Sequence, residues 1–207
     1  MRRWLIALML LVAACAPQAV SVGPSEFEQW LSADASRAPA FVRFEAMLAR
    51  EGVAEVVPTR ELWLTDRLAP ECVVEPFTMP PEEMWPHIVP TLRFVRDHIE
   101  PAIGEVTVAS SYRDPTFNEC VRGASQSTHR DFHALDLVPR DPAVTRERLI
   151  AALCPLHARE GARFYIGMGI YSARRFHIDA TRYRRWGADF RAASSPCGAA
   201  GEPDQRE

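Results

Sequence analysis

Lysine is absent from this chain of 207 residues, so its 24 basic residues are all arginine. A chain without lysine cannot form a Walker A phosphate loop, and it cannot carry the Ser-x-x-Lys centre of serine-type D-Ala-D-Ala peptidases. The acidic residues outnumber the basic ones and give a formal net charge of −3. This balance provides no electrostatic basis for binding nucleic acid, which is therefore not an expected partner.

The sequence also has no long apolar run, and its one notable apolar run, at the N-terminus, is short. Two arginines precede an apolar run from Trp4 to Ala14, which is too short for a membrane-spanning helix and is typical of a secretory signal. The run leads into Cys15 as a bacterial lipobox does, so Cys15 is the expected lipidation site. Ala16 follows in place of aspartate, and by resemblance to known sorting signals this favours the outer membrane. An ordinary signal peptide with a chance cysteine is the alternative, and both interpretations predict export.

The sequence thus predicts an exported periplasmic lipoprotein whose only contact with a membrane is its lipid anchor. The five cysteines include no Cys-x-x-Cys pair, the spacing expected of cysteine zinc sites. Once Cys15 is set aside, an even number remains, as is usual for disulfide-bonded proteins of an oxidising compartment. Four cysteines allow three pairings. We favour Cys72 with Cys120 and Cys154 with Cys197.

Composition predicts one globular domain, since 47% of the residues are hydrophobic and 25% are charged. The pattern along the chain divides it into five parts. These are a signal peptide (1–15), a tether (16–25), an N-terminal helical or irregular extension (26–83), a core (84–190) and a C-terminal tail (191–207).

Hydrophobic periodicity predicts both helices and short strands. In the extension, we expect helices around Phe27–Leu31 and Phe41–Leu48, and short strands at Val56–Val57 and Leu62–Leu64. In the core, the predicted helices are 86–99, a short one from Asp114-Pro115 to Gly123, and one capped by Asp141 with Leu149, Leu153 and Leu156 along one face. The predicted core strands are 105–110, 134–138, 163–170 and, as the last strand, 176–181. Trp186 is expected to pack into the core, and His87, His98 and His157 are expected at the surface.

The stretch from Ser127 to Leu137 carries the most informative polar residues. His129 and Asp136 are seven residues apart, and a straight helix would separate them by roughly 10 Å. The segment must therefore bend, with His129 on a loop and Asp136 on a short apolar strand. A buried carboxylate needs a cation or several donors to offset its desolvation. Zinc is a suitable cation because it binds both imidazole nitrogen and carboxylate oxygen.

A third ligand is available from another predicted strand, 175–180. His177 and Asp179 lie two residues apart in it and therefore on the same face. His133 lies four residues after His129, as in a His-Glu-x-x-His zinc helix, but Arg130 stands where that motif has its glutamate. We therefore expect His133 to pack or to form a hydrogen bond.

These residues resemble a known family of zinc peptidases. The blocks that carry the resemblance are Ser111-Tyr112-Arg113, Ser127-x-His129-x6-Asp136 and His177-x-Asp179, followed by Tyr183 to Trp186. They are similar to blocks of the zinc D-Ala-D-Ala carboxypeptidases and murein endopeptidases, a group that also includes lysostaphin and the Hedgehog signalling domain. The resemblance implies an α+β fold with a small, mostly antiparallel sheet flanked by helices. It also implies that the zinc ligands are His129, Asp136 and His177.

Two positions depart from the family pattern. Phe132 stands where the family has glycine, and Arg174 stands where many members carry the glutamate that acts as general base. Asp179, on the same strand face as His177, is the nearest substitute for that glutamate. The His-x-Asp ending also resembles a branch of the family that lacks the glutamate. Asp179 is therefore the predicted general base.

Three further residues are candidates for substrate binding. Arg113 lies between a strand end and a helix start, a usual place for a binding group. The resemblance implies that it binds the substrate carboxylate through two parallel contacts, while spacing alone equally allows a surface salt bridge with Asp114 or Asp131. Ser127 would hydrogen-bond substrate near the metal or cap a turn. Tyr112 belongs to the same substrate-binding block as Arg113.

The resemblance implies zinc-dependent hydrolysis of an amide bond in peptidoglycan stem peptides or cross-links, by a D-Ala-D-Ala carboxypeptidase or an endopeptidase. The expected partners are peptidoglycan peptides. The alternative is a catalytically silent zinc-binding lipoprotein that binds the cell wall or a partner, because the glutamate is absent and Phe132 would narrow the cleft. A general secreted dipeptidase is a third hypothesis.

Overall fold

A five-stranded sheet forms the centre of the fold. The computed structural model describes residues 24–66, 69–72 and 75–198. In spatial order, its strands are β1 (Val106–Ser110), β2 (Ala134–Pro139), β4 (Phe176–Asp179), β3 (Gly167–Ile170) and β5 (Arg184–Trp186). All neighbouring pairs are antiparallel except β3 and β5, which run parallel. The predicted α+β fold with a small, mostly antiparallel sheet is confirmed. The predicted signal peptide with Cys15, and nearly all of the predicted tether, lie outside the described residues.

Helices surround this sheet and form most of the N-terminal part. A continuous helical segment from Glu82 to Ile103 changes between 3-10, α and π geometry. Pro86, Pro90 and Pro101 lie within it, and proline lacks the amide hydrogen that an unbroken α-helix requires. None of the described helices is long and apolar enough to cross a membrane. The α-helices are α1 (Pro24–Ser32), α2 (Arg37–Arg50), α3 (Val89–Phe94), α4 (Glu100–Ile103), α5 (Pro115–Cys120) and α6 (Arg146–Glu160).

The two aspartate-proline pairs behave differently. The Asp114 side chain accepts hydrogen bonds from two backbone amides of the first turn of α5, as an N-cap should. The predicted Asp141 cap of α6 is wrong, because α6 begins later and Thr145 caps it. Asp141 instead accepts a hydrogen bond from the Ala143 amide at 2.8 Å. A side chain that bonds the backbone two residues further on forms a local turn, which competes with capping.

Several predicted strands also differ from the structure. The strands predicted at Val56–Val57 and Leu62–Leu64 are wrong, because Thr59–Trp63 is a 3-10 helix and Leu64 forms only an isolated bridge with Phe77. Short apolar runs are equally compatible with a buried helical turn and with a strand. The predicted strand 163–170 begins only at residue 167, and 176–179 is followed by β5, so it is not the last strand.

One hydrophobic core joins the N-terminal extension to the sheet. Phe132 is central to it, since its side chain has 0% exposure and its ring centroid lies 6.0 Å from that of Phe44 in α2 and 6.3 Å from that of Tyr112. The prediction that Phe132 narrows the cleft is therefore wrong. Its φ is 57°, a left-handed conformation that costs an L-residue about 1–2 kcal/mol. Glycine would adopt this conformation without strain, and the buried ring offsets the cost in this chain.

Two disulfides fix the edges of the fold. Cys72 is bonded to Cys120 and Cys154 to Cys197, the pairs that we favour from the sequence. The first joins the extension to the end of α5. The second joins α6 to the last described turn of the chain. Both therefore constrain parts that lie far apart in sequence.

The histidines outside the metal-binding blocks have defined partners. The predicted surface position of His157 is wrong, since it is 2% exposed, donates from Nε2 to the Ile166 carbonyl at 2.9 Å and stacks on Tyr183. It lies one helical turn after Leu153 on the apolar face of α6, a position that periodicity could have indicated. His133 packs as predicted, with its ring centroid 4.4 Å from that of His87.

Candidate metal centre

Strand register brings two of the predicted ligands together. In the antiparallel pair of β2 and β4, Asp136 lies directly opposite His177. Residues opposite each other project from the same face of a sheet. The loop before β2 supplies His129, and it is fixed to the end of β1 by a hydrogen bond from the Arg113 amide to the His129 carbonyl at 3.1 Å. The three side chains are buried, with exposures of 2% for His129, 1% for Asp136 and 4% for His177.

Their ligand atoms form a triangle of the size that a metal ion requires. His129 Nε2 lies 3.1 Å from His177 Nδ1 and 3.4 Å from Asp136 Oδ1, and the third side is 3.1 Å. Tetrahedral zinc with bonds of about 2.0–2.1 Å separates its ligand atoms by about 3.3–3.4 Å. Within the described residues, no other three histidine, cysteine or acidic side chains come together in this way. The donor set therefore fits a divalent metal ion with three protein ligands.

His129 is prepared to act as a neutral ligand. Its Nδ1 donates to the Ser111 carbonyl at 2.5 Å, which leaves the lone pair of Nε2 facing the other two ligands. Burial, together with the nearby charge of Arg113, lowers the pKa of His129 to about 4. The ring is therefore neutral at ordinary pH, the form that a metal ion binds.

His177 is oriented from its other nitrogen. Nε2 donates to Asp179 Oδ2 at 2.8 Å, and Nδ1 faces Asp136 Oδ1. Burial alone lowers the pKa of His177, but its hydrogen bonds to Asp136 and Asp179 outweigh that effect and raise the pKa above its usual value. A carboxylate behind a metal-binding histidine fixes the tautomer and the ring orientation.

Asp136 presents one oxygen to the histidines and the other to arginines. Its Oδ2 accepts from Arg113 Nη2 at 2.7 Å and from Arg175 Nη2 at 2.5 Å. Burial raises the pKa of Asp136, but His129, His177 and Arg175 outweigh burial and hold the pKa well below its usual value. Asp136 is therefore ionised, as a metal ligand must be.

Asp179 lies behind His177, on the side away from the triangle. Its carboxylate accepts from His177, from the amide and hydroxyl of Thr181, and from Arg184 Nη2 at 2.7 Å. Burial raises the pKa of Asp179, but these partners, His177 foremost, bring the pKa well below its usual value. A carboxylate with a low pKa is a weak base at neutral pH. The assignment of Asp179 as general base stays a prediction.

Comparison with known protein families agrees with a metal site of this kind. The family model for Peptidase M15 matches residues 60–179, more than half of the chain. The chain belongs to the peptidase M15 family. No curated protein and no solved structure matches it. The matched range contains all three candidate ligands, and it begins within the N-terminal extension. M15 peptidases are metal-dependent, in agreement with the buried His-Asp-His triangle.

The three predicted substrate-binding residues of this M15 chain lie in environments that differ from one another. The Arg113 side chain is 13% exposed and contacts Asp136 rather than Asp114 or Asp131, the two partners that spacing suggested. Tyr112 is buried against Phe132. Ser127 lies at intermediate depth in the turn before His129, where its carbonyl accepts from the Arg130 amide at 3.0 Å. Among these three, the structure shows direct contact with a candidate ligand for Arg113.

Four charged or aromatic residues around the metal centre are not among the site residues predicted from the sequence. Arg175 contacts Asp136, and Arg184 contacts Asp179. Asp66 forms an ion pair with Arg175. It lies in a segment to which hydrophobic periodicity assigns no role. The predicted core position of Trp186 is wrong, because its side chain is only half-buried, with its ring 4.9 Å from that of His177. The available signal was the position of Arg175 immediately before the His177 strand.

Glycines in β3 allow this close packing. A Cβ on Gly167 would lie 2.5 Å from Asp179 Oδ2, and one on Gly169 would overlap the Trp186 indole. Tyr171 follows β3, and burial raises its pKa, with a further contribution from the charge of Asp136. The glycines therefore leave room for Trp186 and Asp179 beside His177, and Arg184 lies over the Trp186 ring.

Proposed function

We propose that this M15 protein is a zinc-dependent peptidase that hydrolyses an amide bond in the stem peptides or cross-links of peptidoglycan. The observation that carries the proposal is the buried triangle of His129 Nε2, His177 Nδ1 and Asp136 Oδ1, with sides of 3.1–3.4 Å. Two imidazoles and one carboxylate are typical protein ligands of catalytic zinc, which keeps a further position open. The resemblance of the Arg113 and His129 blocks to the D-Ala-D-Ala carboxypeptidases supports the substrate class.

The residues around the centre prepare it for this chemistry. When bound, zinc supplies a Lewis acid that polarises a carbonyl and lowers the pKa of water to about 7. Ser111 and Asp179 accept the outward N–H groups of His129 and His177, so both inward nitrogens are free to coordinate. Arg113 and Arg175 hold the second oxygen of the Asp136 carboxylate.

Substrate recognition is proposed for the partly exposed edge of Arg113. A guanidinium there can pair with the terminal carboxylate of a stem peptide, and Ser127 in the adjoining turn can donate a hydrogen bond. Tyr112 belongs to the same block as Arg113 and is buried against Phe132. We propose it as a substrate-binding residue as well. We also propose export and lipidation at Cys15, with the enzyme held at the outer membrane facing the cell wall.

A second candidate function has its own support. Arg174, at the usual glutamate position, donates to the carbonyls of Pro139 and Asp141, and Asp179 is engaged with His177. Among the described residues, neither of the two positions considered for the general base therefore offers an unengaged carboxylate. This observation supports the second candidate, a catalytically silent zinc-binding protein that binds the cell wall or a partner.

Product analysis separates these functions. The purified full-length protein is assayed for zinc content and incubated with muropeptides, and products are identified by mass spectrometry. Release of D-alanine or cleaved cross-links that a chelator stops and zinc restores supports the peptidase. His129→Ala should lose that activity, while Arg122→Ala, an exposed residue outside the centre, should keep it. Bound zinc without products would support the silent domain, and cleavage of L-peptides alone would indicate a general dipeptidase.

A further inference from the structure

Asp66 is a third carboxylate near the metal centre, in addition to Asp136 and Asp179. Its side chain is 8% exposed, and its Oδ2 accepts from Arg175 Nη2 at 2.5 Å, while Oδ1 lies 3.3 Å from Arg175 Nη1. Arg113 Nη2 lies 3.5 Å from the same Oδ2. Asp66 therefore contacts the two arginines that hold Asp136.

This arrangement places two cations beside a carboxylate that has to bind another cation. Arg113 and Arg175 both donate to Asp136 Oδ2, and their side chains are only 13% and 14% exposed. Water screens charges at such depth weakly, so an unbalanced positive charge here would oppose the binding of a divalent ion. Asp66 supplies a negative charge at the position where Arg175 bridges the two carboxylates.

The backbone around Asp66 holds it in place. The Thr65 amide donates to the Pro76 carbonyl at 3.1 Å, and the Thr78 amide donates to the Trp63 carbonyl at 2.7 Å. The hydroxyls of Thr65 and Thr78 are 2.9 Å apart. These bonds join two segments of the extension side by side, directly before Asp66. Its position is therefore set by the fold.

We propose that Asp66 is a positioning residue for the metal centre, which acts through Arg175 by balancing its charge so that Asp136 can hold a divalent cation. The inference rests on the metal site of the proposed function. It assigns to the N-terminal extension a part in metal binding, because Asp66 and the ligand Asp136 come from segments that are distant in the chain. It requires no catalytic step and no substrate.

Zinc affinity, measured by competition with a chromophoric chelator, tests this proposal on the purified full-length protein. Asp66→Asn is expected to weaken zinc binding by about tenfold, because the two buried arginines then lose a shared negative charge. The conservative variant Asp66→Glu keeps that charge and should bind zinc within about threefold of wild type. Glu75→Gln is the matched control, since Glu75 pairs with Arg37 in the same extension but away from the centre. It should bind zinc like wild type.

Two results would overturn the inference. These are Asp66→Asn binding zinc as tightly as wild type, and Asp66→Glu binding as weakly as Asp66→Asn. If Asp66→Asn does not fold, Asp66→Ser replaces it, because it also removes the charge and should show the same loss of affinity. Zinc binding like that of wild type in Asp66→Ser would contradict the charge argument. A wild-type protein that binds no zinc would instead refute the proposed function.

Discussion

The loop before β2 has two faces that differ in chemistry. On one face, His129 meets Asp136 and His177 in a buried polar cluster crossed by arginines. On the other face, Phe132 enters an aromatic core shared with the extension. The polar face depends on charge balance and ligand geometry, and the apolar face depends on packed volume. Changes to one face should therefore affect metal binding, and changes to the other should affect stability.

The largest expected effect comes from breaking the polar face at its centre. Asp136→Asn removes a ligand and leaves the buried Arg113 and Arg175 with Asp66 as their remaining shared carboxylate. We expect zinc binding below detection and a loss of about 3–5 kcal/mol in the unfolding free energy of the metal-free protein. Zinc titration and denaturant unfolding measure these effects. Asp97→Asn, in an exposed pair with Arg96, should change neither by much. Zinc binding retained in Asp136→Asn would contradict the ligand assignment.

The next effect tests the apolar face. Phe132→Gly should lower the unfolding free energy by about 2–4 kcal/mol, because a buried ring is lost while the left-handed strain is relieved. Phe132→Ala keeps the strain and should be less stable than the glycine variant by about 0.5–1 kcal/mol. Folded Phe132→Gly should still bind one zinc ion. An alanine variant as stable as the glycine variant would show that the backbone strain is unimportant.

A smaller effect sharpens the role of Asp179. If it orients His177, Asp179→Asn should weaken zinc binding by about 10–100-fold, and excess zinc should restore part of the activity. If Asp179 is the general base, zinc affinity should stay near that of wild type while activity is lost at saturating zinc. Chelator competition and muropeptide release distinguish these outcomes. Asp189→Asn, in an exposed turn, serves as the control.

The smallest predicted effect concerns pH and lies outside both faces. Burial lowers the pKa of His157 from its usual 6.5. The unfolded chain therefore binds a proton that the folded chain does not, so the stability from this ring is present above pH 6.5 and is lost as pH falls towards the lower folded pKa. Between about pH 7.5 and about pH 5.5, wild type should lose about 1 kcal/mol more than His157→Gln in denaturant unfolding. Equal losses would refute this assignment.

Sequence patterns predicted the polar face better than the apolar one. The His129 and Asp136 spacing required a bend, and the polar residues at 177 and 179 stood out in an apolar strand, so the structure's grouping of these segments was foreseeable. The Asp66–Arg175 pair was not, because it joins residues 109 apart and follows no periodicity. The size of Phe132 led to the prediction that it narrows the cleft. Residue type alone does not reveal the left-handed φ that directs its ring inward. The arginines show the same limit, since an ion pair depends on the fold around it.

The most direct test of the account is X-ray absorption at the zinc edge of the zinc-loaded protein. The account predicts a four-coordinate ion with two imidazoles and oxygen donors at about 2.0–2.1 Å. It further predicts that one imidazole is lost in His129→Ala and also in His177→Ala. A wild-type spectrum without imidazole, or one unchanged by both substitutions, would contradict the metal centre on which the proposed peptidase function depends.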